Sequence, residues 1–246
     1  MGGRVVAVIP SRFASTRFPG KPLAMISGVP MIVRVAERAR AALERVIVAT
    51  DDERIRDTAE RAGFEVVMTS PDCASGTDRV AEVVALAGLE DAALLVNVQG
   101  DEPLIDPADI TALAEDTLAA AAPMGTLCRP LLDRRRFADP NLVKVVRARD
   151  GRALYFSRAP IPHVAGDDEA PLMHVGMYAY QPHIVRTLAA TAPTPLERAE
   201  RLEQLRALEL GVPILVTMAR SRSPSIAVDT PEDVARVERA LAEVAS

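Results

Sequence analysis

Short apolar runs alternate with helical segments through the first half of this chain, and this alternation restricts its fold most strongly. The helical segments carry apolar residues at helical spacing or end at a glycine. Strands joined by helices form right-handed βαβ units in a parallel sheet. We therefore predict an α/β fold of three layers around a mainly parallel central sheet. The predicted strands are Val5–Ile9, Arg45–Thr50, Glu65–Met68 and Ala93–Val98, and the predicted helices are Pro30–Ala42, Glu53–Ala62, Asp78–Ala87 and Pro107–Ala121.

The second half changes character, because strands there follow one another with fewer helices between them. No linker is long enough to require a second domain, and 246 residues suit one large α/β domain. The polar segment Pro162–Pro171 is predicted to be a mobile loop, and Pro195–Leu210 one long charged helix ended by Gly211. The other predicted elements are strands at Met124–Arg129, Leu142–Ala148, Ala153–Phe156, His174–Tyr180 and Ile214–Ala219, and helices at Pro182–Thr191 and Pro231–Ala245.

Composition argues against several classes of protein. A net charge of −5 is unlike that of a general nucleic-acid binder, and an aromatic content of 3% without tryptophan argues against a base-stacking surface. Cys73 and Cys128 are isolated and lack metal-binding spacing, which favours a reducing cytoplasm. The first apolar run, Val5–Ile9, is far too short for a signal or a membrane span. We expect a cytoplasmic protein without nucleic-acid or membrane partners.

The first strand runs into a basic loop, Pro10–Pro22, that is interrupted by prolines and by Gly20. Arg12, Arg17 and Lys21 give this loop three cations, and a glycine lets the backbone approach a ligand closely. These features suit the phosphates of a bound anion. An ordinary surface loop with solvated charges fits the same residues, and this stretch alone leaves the two interpretations even.

Acidic groups follow other predicted strands. Ligands of open α/β sheets bind beyond the carboxyl ends of the strands, where Asp51-Asp52 and Gln99-Gly100-Asp101 fall. Asp101 is a candidate ligand of Mg²⁺, and a turn aspartate is the alternative. Further along, Thr230–Asp233 fits the cap of the last helix. That cap leaves the preceding Asp229 unexplained, and a second metal carboxylate is its functional interpretation.

Ser75–Arg79 combines small hydroxyl residues with a glycine near the predicted start of a helix, which suits hydrogen bonds to a base or a sugar. A helix cap by Ser75 or Thr77 explains the same residues and is slightly favoured. His174 lies at a strand start, where a lone histidine is more often structural. One face of the predicted charged helix carries Glu197, Glu200, Arg201 and Gln204. Charged faces of this kind are usually solvated and joined by i,i+4 pairs, so this one requires no functional role.

Taken in order, these segments resemble one family, the 3-deoxy-manno-octulosonate (KDO) cytidylyltransferases, along nearly the whole chain. The most specific are Pro10–Pro22 and Val96–Pro103, which together are a strong signal, although either alone suggests only some nucleotidyltransferase. The other matching segments are Val48–Asp52, Ser75–Arg79, Ala153–Arg158, His174–Tyr178, Pro195–Glu197, Leu202–Arg206 and Val228–Asp233.

The resemblance implies a nucleotide-diphospho-sugar transferase-like (Rossmann-like) fold in a single domain, 1–246, with a smaller dimerisation and sugar-binding subregion at about 153–210. It implies a Mg²⁺-dependent reaction in which CTP and KDO give CMP-KDO and pyrophosphate, for lipopolysaccharide assembly, and it implies a homodimer. The residues it assigns to catalysis are Arg12 and Lys21 on the triphosphate and Asp101 and Asp229 on Mg²⁺. Those it places at the nucleotide are Pro10, Arg12, Lys21, Ser75, Arg79 and Asp101, and those at the sugar are Gln99, Arg158, His174, Tyr178, Glu203 and Gln204.

Two segments on the sugar side depart from the family's usual pattern. Ile161-Pro162-His163 stands where many members have an aromatic residue after the proline, and Gln181-Pro182 replaces a more usual arginine pattern. The alternative function is therefore a cytidylyltransferase for another acid sugar, either 8-amino-KDO or a sialic-type sugar. The segments Gln99–Pro103 and Glu203-Gln204 speak against the sialic type. Arg17 receives no direct role.

Overall fold

The computed structural model describes residues 4–14, 17–164, 166, 170–221 and 226–244. The predicted mobile segment Pro162–Pro171 includes residues outside these ranges, so its mobility stays a prediction. None of the helices within the described ranges is long and apolar enough to cross a membrane.

A nine-stranded sheet runs through the described residues, and a two-stranded ribbon, β2 with β3, lies apart from it. The strands are β1 Val5–Ser11, β2 Met25–Ile26, β3 Val29–Pro30, β4 Arg45–Thr50, β5 Glu65–Met68, β6 Leu94–Asn97, β7 Met124–Pro130, β8 Lys144–Arg147, β9 Ala153–Ser157, β10 Leu172–Tyr180 and β11 Ile214–Met218. The main path is β11-β7-β10-β6-β1-β4-β5, and β8 and β9 extend from β10. Neighbours along this path are parallel except β10, which is antiparallel to both β6 and β7. The predicted mainly parallel sheet is confirmed.

Helices cover both faces of the sheet. They are α1 Met31–Ala42, α2 Glu53–Arg61, α3 Gly76–Leu86, α4 Pro107–Ala119, α5 Pro182–Ala190, α6 Pro195–Glu200, α7 Gln204–Glu209 and α8 Pro231–Val244. Side chains of β1 alternate between two apolar clusters: Val5, Ala7 and Ile9 join one, and Val6 and Val8 join the other. Helices α1, α2, α4 and α8 complete the first cluster, and α3, α5 and α7 complete the second. The three predicted layers follow from this burial on both faces.

The prediction of one long helix over Pro195–Leu210 is wrong. Helix α6 ends at Glu200, Arg201 adopts a left-handed conformation with φ of 54°, and α7 begins at Gln204. Contacts from the end of β9 stabilise the break, because the Arg158 backbone N–H donates to the Glu200 carboxylate at 2.9 Å and its Nε to the Glu200 carbonyl at 2.8 Å. The predicted common face is therefore also wrong. Glu197 instead turns inward to a buried ion pair with Arg206.

Candidate active site

A cavity of about 380 Å³ opens at the carboxyl ends of β1 and β6. Residues predicted at the phosphates, the nucleotide and the metal come together in its lining, although they are distant in sequence. These are Pro10, Arg12, Lys21, Ser75, Arg79, Asp101 and Asp229, and Gln99, which was predicted at the sugar, lines this cavity as well. The expectation that polar groups after neighbouring strands meet at one edge of the sheet accounts for this convergence.

Two glycines allow the cavity walls to come close. Gly20 has a φ of 72°, and a Cβ atom on it would meet the ring of Phe13 at 2.9 Å. It turns the chain into a single 3₁₀ turn, Lys21–Leu23, whose first residue enters the cavity. At Gly100 a Cβ atom would lie 2.7 Å from the Ser11 hydroxyl, so only glycine lets the loop after β6 approach the end of β1.

Lys21 joins the two acidic residues of the cavity. Its Nζ donates to Asp101 Oδ2 at 2.7 Å and lies 3.5 Å from Asp229 Oδ1, and it also donates to the carbonyl of Val228 at 3.1 Å. The Val228 N–H in turn donates to the Asp101 carbonyl at 2.8 Å, which fixes the segment before α8 against the loop after β6. One ammonium group therefore lies between two carboxylates that are far apart in sequence.

This pair of carboxylates fits Mg²⁺. Magnesium is typically held by one or two carboxylates together with substrate phosphates and water, and here two carboxylates already share one cation, the Lys21 ammonium. Within the described ranges, no group of three or more His, Cys, Asp or Glu side chains could hold a metal ion. The remaining ligands would therefore come from the substrate.

Arg17, a cation of the basic loop with no direct role assigned from sequence, lies at the cavity. Its guanidinium lines the cavity and donates to Asp229 Oδ1 at 2.9 Å, across 212 positions of sequence. Its position in the basic loop was the only available signal, because the pairing with Asp229 depends on the folded segment before α8. All three cations of the loop, Arg12, Arg17 and Lys21, face the same cavity.

Ser75 and Arg79 meet the cavity at the start of α3. Ser75 is the helix cap, since its hydroxyl accepts from the Asp78 N–H at 3.1 Å while the Asp78 carboxylate accepts from the Ser75 N–H at 2.9 Å. The capping alternative for Ser75 is thus confirmed. Arg79 is almost fully buried and forms an ion pair with Asp51 at 2.9 Å, and it also donates to the Thr69 hydroxyl.

A second cavity of about 280 Å³ adjoins the first and shares Gly76 and Gln99 with it. Of the predicted sugar-binding residues, Gln99, Tyr178, Glu203 and Gln204 line it. Thr77, Asn97 and Tyr180 line it as well and were not predicted there. Thr77 and Asn97 lie in the segments Ser75–Arg79 and Val96–Pro103 that carry the family resemblance, whereas Tyr180 lies outside them.

The lining of the second cavity contains buried polar groups. Within the described part of the chain, Asn97 Oδ1 and Gln204 Nε2 are buried without a hydrogen-bond partner. Burial raises the pKa of Glu203 above its ordinary value, against an opposing hydrogen bond from Thr77. Burial likewise raises the pKa of Tyr180, so the phenol stays protonated. Unpaired donors and acceptors beside a polar cavity suit a ligand rich in hydroxyl and carboxyl groups.

Arg158 and His174 are not brought to either cavity lining. The Arg158 guanidinium donates to the backbone carbonyls of Pro140 and Glu200. His174 Nε2 lies 2.8 Å from the Thr126 hydroxyl, and the imidazole packs edge-on against Phe156. Desolvation lowers the pKa of His174 to about 3, so the ring is neutral at ordinary pH.

The fold and the site together define a class of protein. A mainly parallel α/β sheet that presents cations and two carboxylates around one cavity has the groups needed to bind a nucleoside triphosphate together with a divalent metal. A second polar cavity beside it offers room for an acceptor. These are the features of a nucleotidyltransferase.

Comparison with known proteins makes this class specific, and the chain belongs to the cytidylyltransferase family, whose model matches residues 6–214. The chain is 53% identical over 253 residues to the 3-deoxy-manno-octulosonate cytidylyltransferase of Syntrophotalea carbinolica, covering 96% of this chain and 98% of that protein. It is 47% identical over 244 residues to the 8-amino-3,8-dideoxy-manno-octulosonate cytidylyltransferase of Shewanella frigidimarina, covering 97% of this chain and 99% of that protein.

The comparison with a solved structure agrees with these sequence similarities. The CMP:2-keto-3-deoxy-manno-octonic acid synthetase complexed with CTP superposes with a TM-score of 0.90 at 38% identity, over 98% of this chain and 99% of that chain. The family predicted from the sequence motifs is confirmed, and so is the fold class.

Proposed function

We propose that this chain transfers the cytidylyl group of CTP to 3-deoxy-manno-octulosonate. A hydroxyl oxygen of the sugar forms a bond to the α-phosphorus, the bond from that phosphorus to the bridging oxygen breaks, and pyrophosphate leaves. The proton of that hydroxyl passes to water. The observation that carries the proposal is the pair of adjoining cavities that share Gln99, one with triphosphate chemistry and one suited to a sugar acid. The similarity to enzymes named for this sugar supports the choice of acceptor.

Arg12, Arg17 and Lys21 are proposed to hold the triphosphate. Transfer of this kind depends on positioning and on neutralising charge, and it needs little covalent chemistry from the protein. Lys21 is the best placed of the three, because the carboxylates of Asp101 and Asp229 already fix its ammonium group. We propose that the same two carboxylates hold Mg²⁺, which when bound would neutralise charge on the phosphates.

The base is proposed to lie at the start of α3, against Pro10, Ser75 and Arg79, all of which line the first cavity. A guanidinium carries only donors. The O2 and N3 atoms of cytosine accept hydrogen bonds, whereas N3 of uracil carries a proton. An arginine facing that edge of the base therefore favours cytosine.

The sugar acid is proposed to bind in the second cavity, against Gln99, Tyr178, Glu203 and Gln204. Unpaired Gln204 Nε2 is a donor available to a carboxylate or a hydroxyl. The assigned roles of Arg158 and His174 stay proposals from the family resemblance, since their side chains contact the protein itself. We further propose that the chain works as a homodimer in the cytoplasm, on the route to lipopolysaccharide, and its free cysteines suit that compartment.

The test is pyrophosphate release by the purified protein with CTP, Mg²⁺ and KDO. We expect release that requires all three and that falls sharply when ATP or UTP replaces CTP. The 8-amino-3,8-dideoxy sugar and a sialic acid serve as competing acceptors. No release with KDO, accompanied by release with either competitor, would overturn the proposed acceptor. No release with any acceptor would overturn the proposed function.

A further inference from the structure

Asp51 lies at the carboxyl end of β4 and reaches the nucleotide cavity only through another side chain. It is absent from the cavity lining, but its Oδ2 accepts from Arg79 at 2.9 Å, and Arg79 lines the cavity. The Arg79 side chain is only 3% exposed. A buried guanidinium is strongly unfavourable without a counter-charge, and Asp51 is its ion-pair partner among the described residues.

We propose that Asp51 is a positioning residue for the nucleotide, one that holds Arg79 in the orientation that selects cytosine. This inference rests on the proposed function, because it takes the first cavity as the CTP site. Asp51 acts on one nitrogen of the guanidinium while the Thr69 hydroxyl accepts from the other terminal nitrogen. Two acceptors on different nitrogens fix a planar group in both position and rotation.

The arrangement gives Asp51 a role in specificity. Arg79 lies in the first turn of α3, and Ser75, which caps this helix, also lines the cavity. Because the guanidinium is fixed, its donors stay at a constant distance from Ser75. An arginine that is free to rotate can still neutralise charge, but it loses the alignment that separates the acceptor N3 of cytosine from the protonated N3 of uracil. Removal of Asp51 should therefore weaken CTP binding and selectivity while leaving the acceptor site intact.

The chain supplies a matched control in the next residue. Asp52 also carries an ion pair to an arginine, Arg54, at 2.7 Å, but it caps α2 and does not line the cavity. Asparagine is as good a helix cap as aspartate, so Asp52→Asn changes the same charge without disturbing the fold. Any effect confined to position 51 then belongs to Arg79 rather than to a lost surface charge.

The experiment measures KM for CTP, KM for KDO, kcat, and the ratio of kcat/KM for CTP over UTP. Asp51→Asn keeps one acceptor but removes the negative charge that holds the Arg79 guanidinium in place. We expect KM for CTP to rise roughly tenfold and the CTP preference to fall by a similar factor, with KM for KDO and kcat nearly unchanged. For Asp52→Asn all four quantities should match the wild type. Folded Asp51→Asn with wild-type KM for CTP and wild-type preference would overturn the inference.

A second variant covers the case in which Asp51→Asn does not fold. Asp51→Glu keeps the counter-charge but moves it by one methylene, so the protein should fold and still show a raised KM for CTP and a lowered preference. If Asp51→Asn is unfolded and Asp51→Glu behaves as the wild type, Asp51 is only a counter-charge and the inference is wrong. A wild-type enzyme that releases no pyrophosphate from CTP refutes the proposed function instead, so the two failures are distinguishable.

Discussion

Replacing Glu197 with glutamine should destabilise the protein much more than a typical charge substitution. Glu197 and Arg206 form a two-pronged ion pair, at 2.8 and 2.5 Å, and their side chains are only 11% and 8% exposed. The Glu197 carboxylate also accepts from the Thr194 N–H at 3.1 Å. Glutamine keeps the shape but removes the carboxylate charge that is paired with the buried Arg206 guanidinium.

The expected cost follows from this burial. Breaking one partner of a buried pair typically costs about 3–5 kcal/mol, and glutamine still offers one acceptor, so about 3 kcal/mol is expected. For a domain of this size each kcal/mol lowers the unfolding midpoint by roughly 2–4 °C, which predicts a fall of roughly 6–12 °C. Thermal unfolding followed by circular dichroism measures it directly.

Glu65 provides the matched control. It pairs with Arg45 through the same two-pronged geometry, at 2.9 and 2.8 Å, but the side chains are 42% and 37% exposed. Exposed pairs contribute at most about 1 kcal/mol, so Glu65→Gln should lower the midpoint by no more than a few degrees. Equal shifts for Glu65→Gln and Glu197→Gln would refute the argument that burial sets the cost.

The same pair predicts a dependence on pH. Burial raises the pKa of Glu197, but the hydrogen bond from Arg206 and further interactions outweigh it, and the net pKa lies below the ordinary value of 4.5. A carboxyl group with a lowered pKa contributes stability above its unfolded pKa and loses it as the pH falls through its folded pKa. The stability difference between wild type and Glu197→Gln should be constant near neutral pH and should shrink only below pH 4.5. A difference that shrinks on going from pH 7 to 5 contradicts this assignment.

Three further predictions concern the site and the assembly. Asp101→Asn should lower pyrophosphate release about a hundredfold at an unchanged unfolding midpoint, because it removes a carboxylate proposed for Mg²⁺, and near-normal release would remove Asp101 from the site. The His174 ring should show no titration between about pH 5 and 8 by NMR, with signals assigned by His174→Gln, and a titration near 6.5 would contradict its desolvation. Light scattering at micromolar concentration should give twice the chain mass of 26.4 kDa, and a monomer mass would refute the homodimer.

Local patterns were sufficient for most of the sheet. Strands β4 and β5 have the bounds predicted from their sequence, because apolar residues end at polar or turn-forming residues on both sides. Helix α3 begins at Gly76, two positions before its predicted start at Asp78, because Ser75 and Asp78 form the capping box. The predicted strand ends were accurate enough to bring the acidic and basic loops to one edge.

The break between α6 and α7 could not be predicted from the local sequence. Both halves of Pro195–Leu210 have helix-forming residues, and neither glycine nor proline marks the interruption at Arg201. The left-handed turn is stabilised by the Arg158 guanidinium, which donates to the Glu200 and Arg201 carbonyls from 42 and 43 positions away. Contacts at such separations override helix propensity, and a single sequence does not reveal them.

The side-chain pairings inside the first cavity could not be predicted from the sequence either. The sequence motifs indicated which residues belong there, but the partners of Arg17 and Arg79 are set by tertiary structure. Arg17 pairs with Asp229 only because the Val228 N–H attaches the segment before α8 to the loop after β6. Arg79 pairs with Asp51 because β4 ends beside the start of α3.

The antiparallel strand β10 explains why a second polar cavity lies next to the first. In a purely parallel sheet, β6 would pair on its outer side with another strand ending at the same edge. Here β10 enters between β6 and β7 in the opposite direction, and its register places Tyr178 opposite Asn97. Both residues line the second cavity, and Gln99, two positions after Asn97, lines both cavities. Strand β6 and the residues that follow it therefore supply polar groups to both cavities, which are the cavities proposed for the acceptor and for the phosphates.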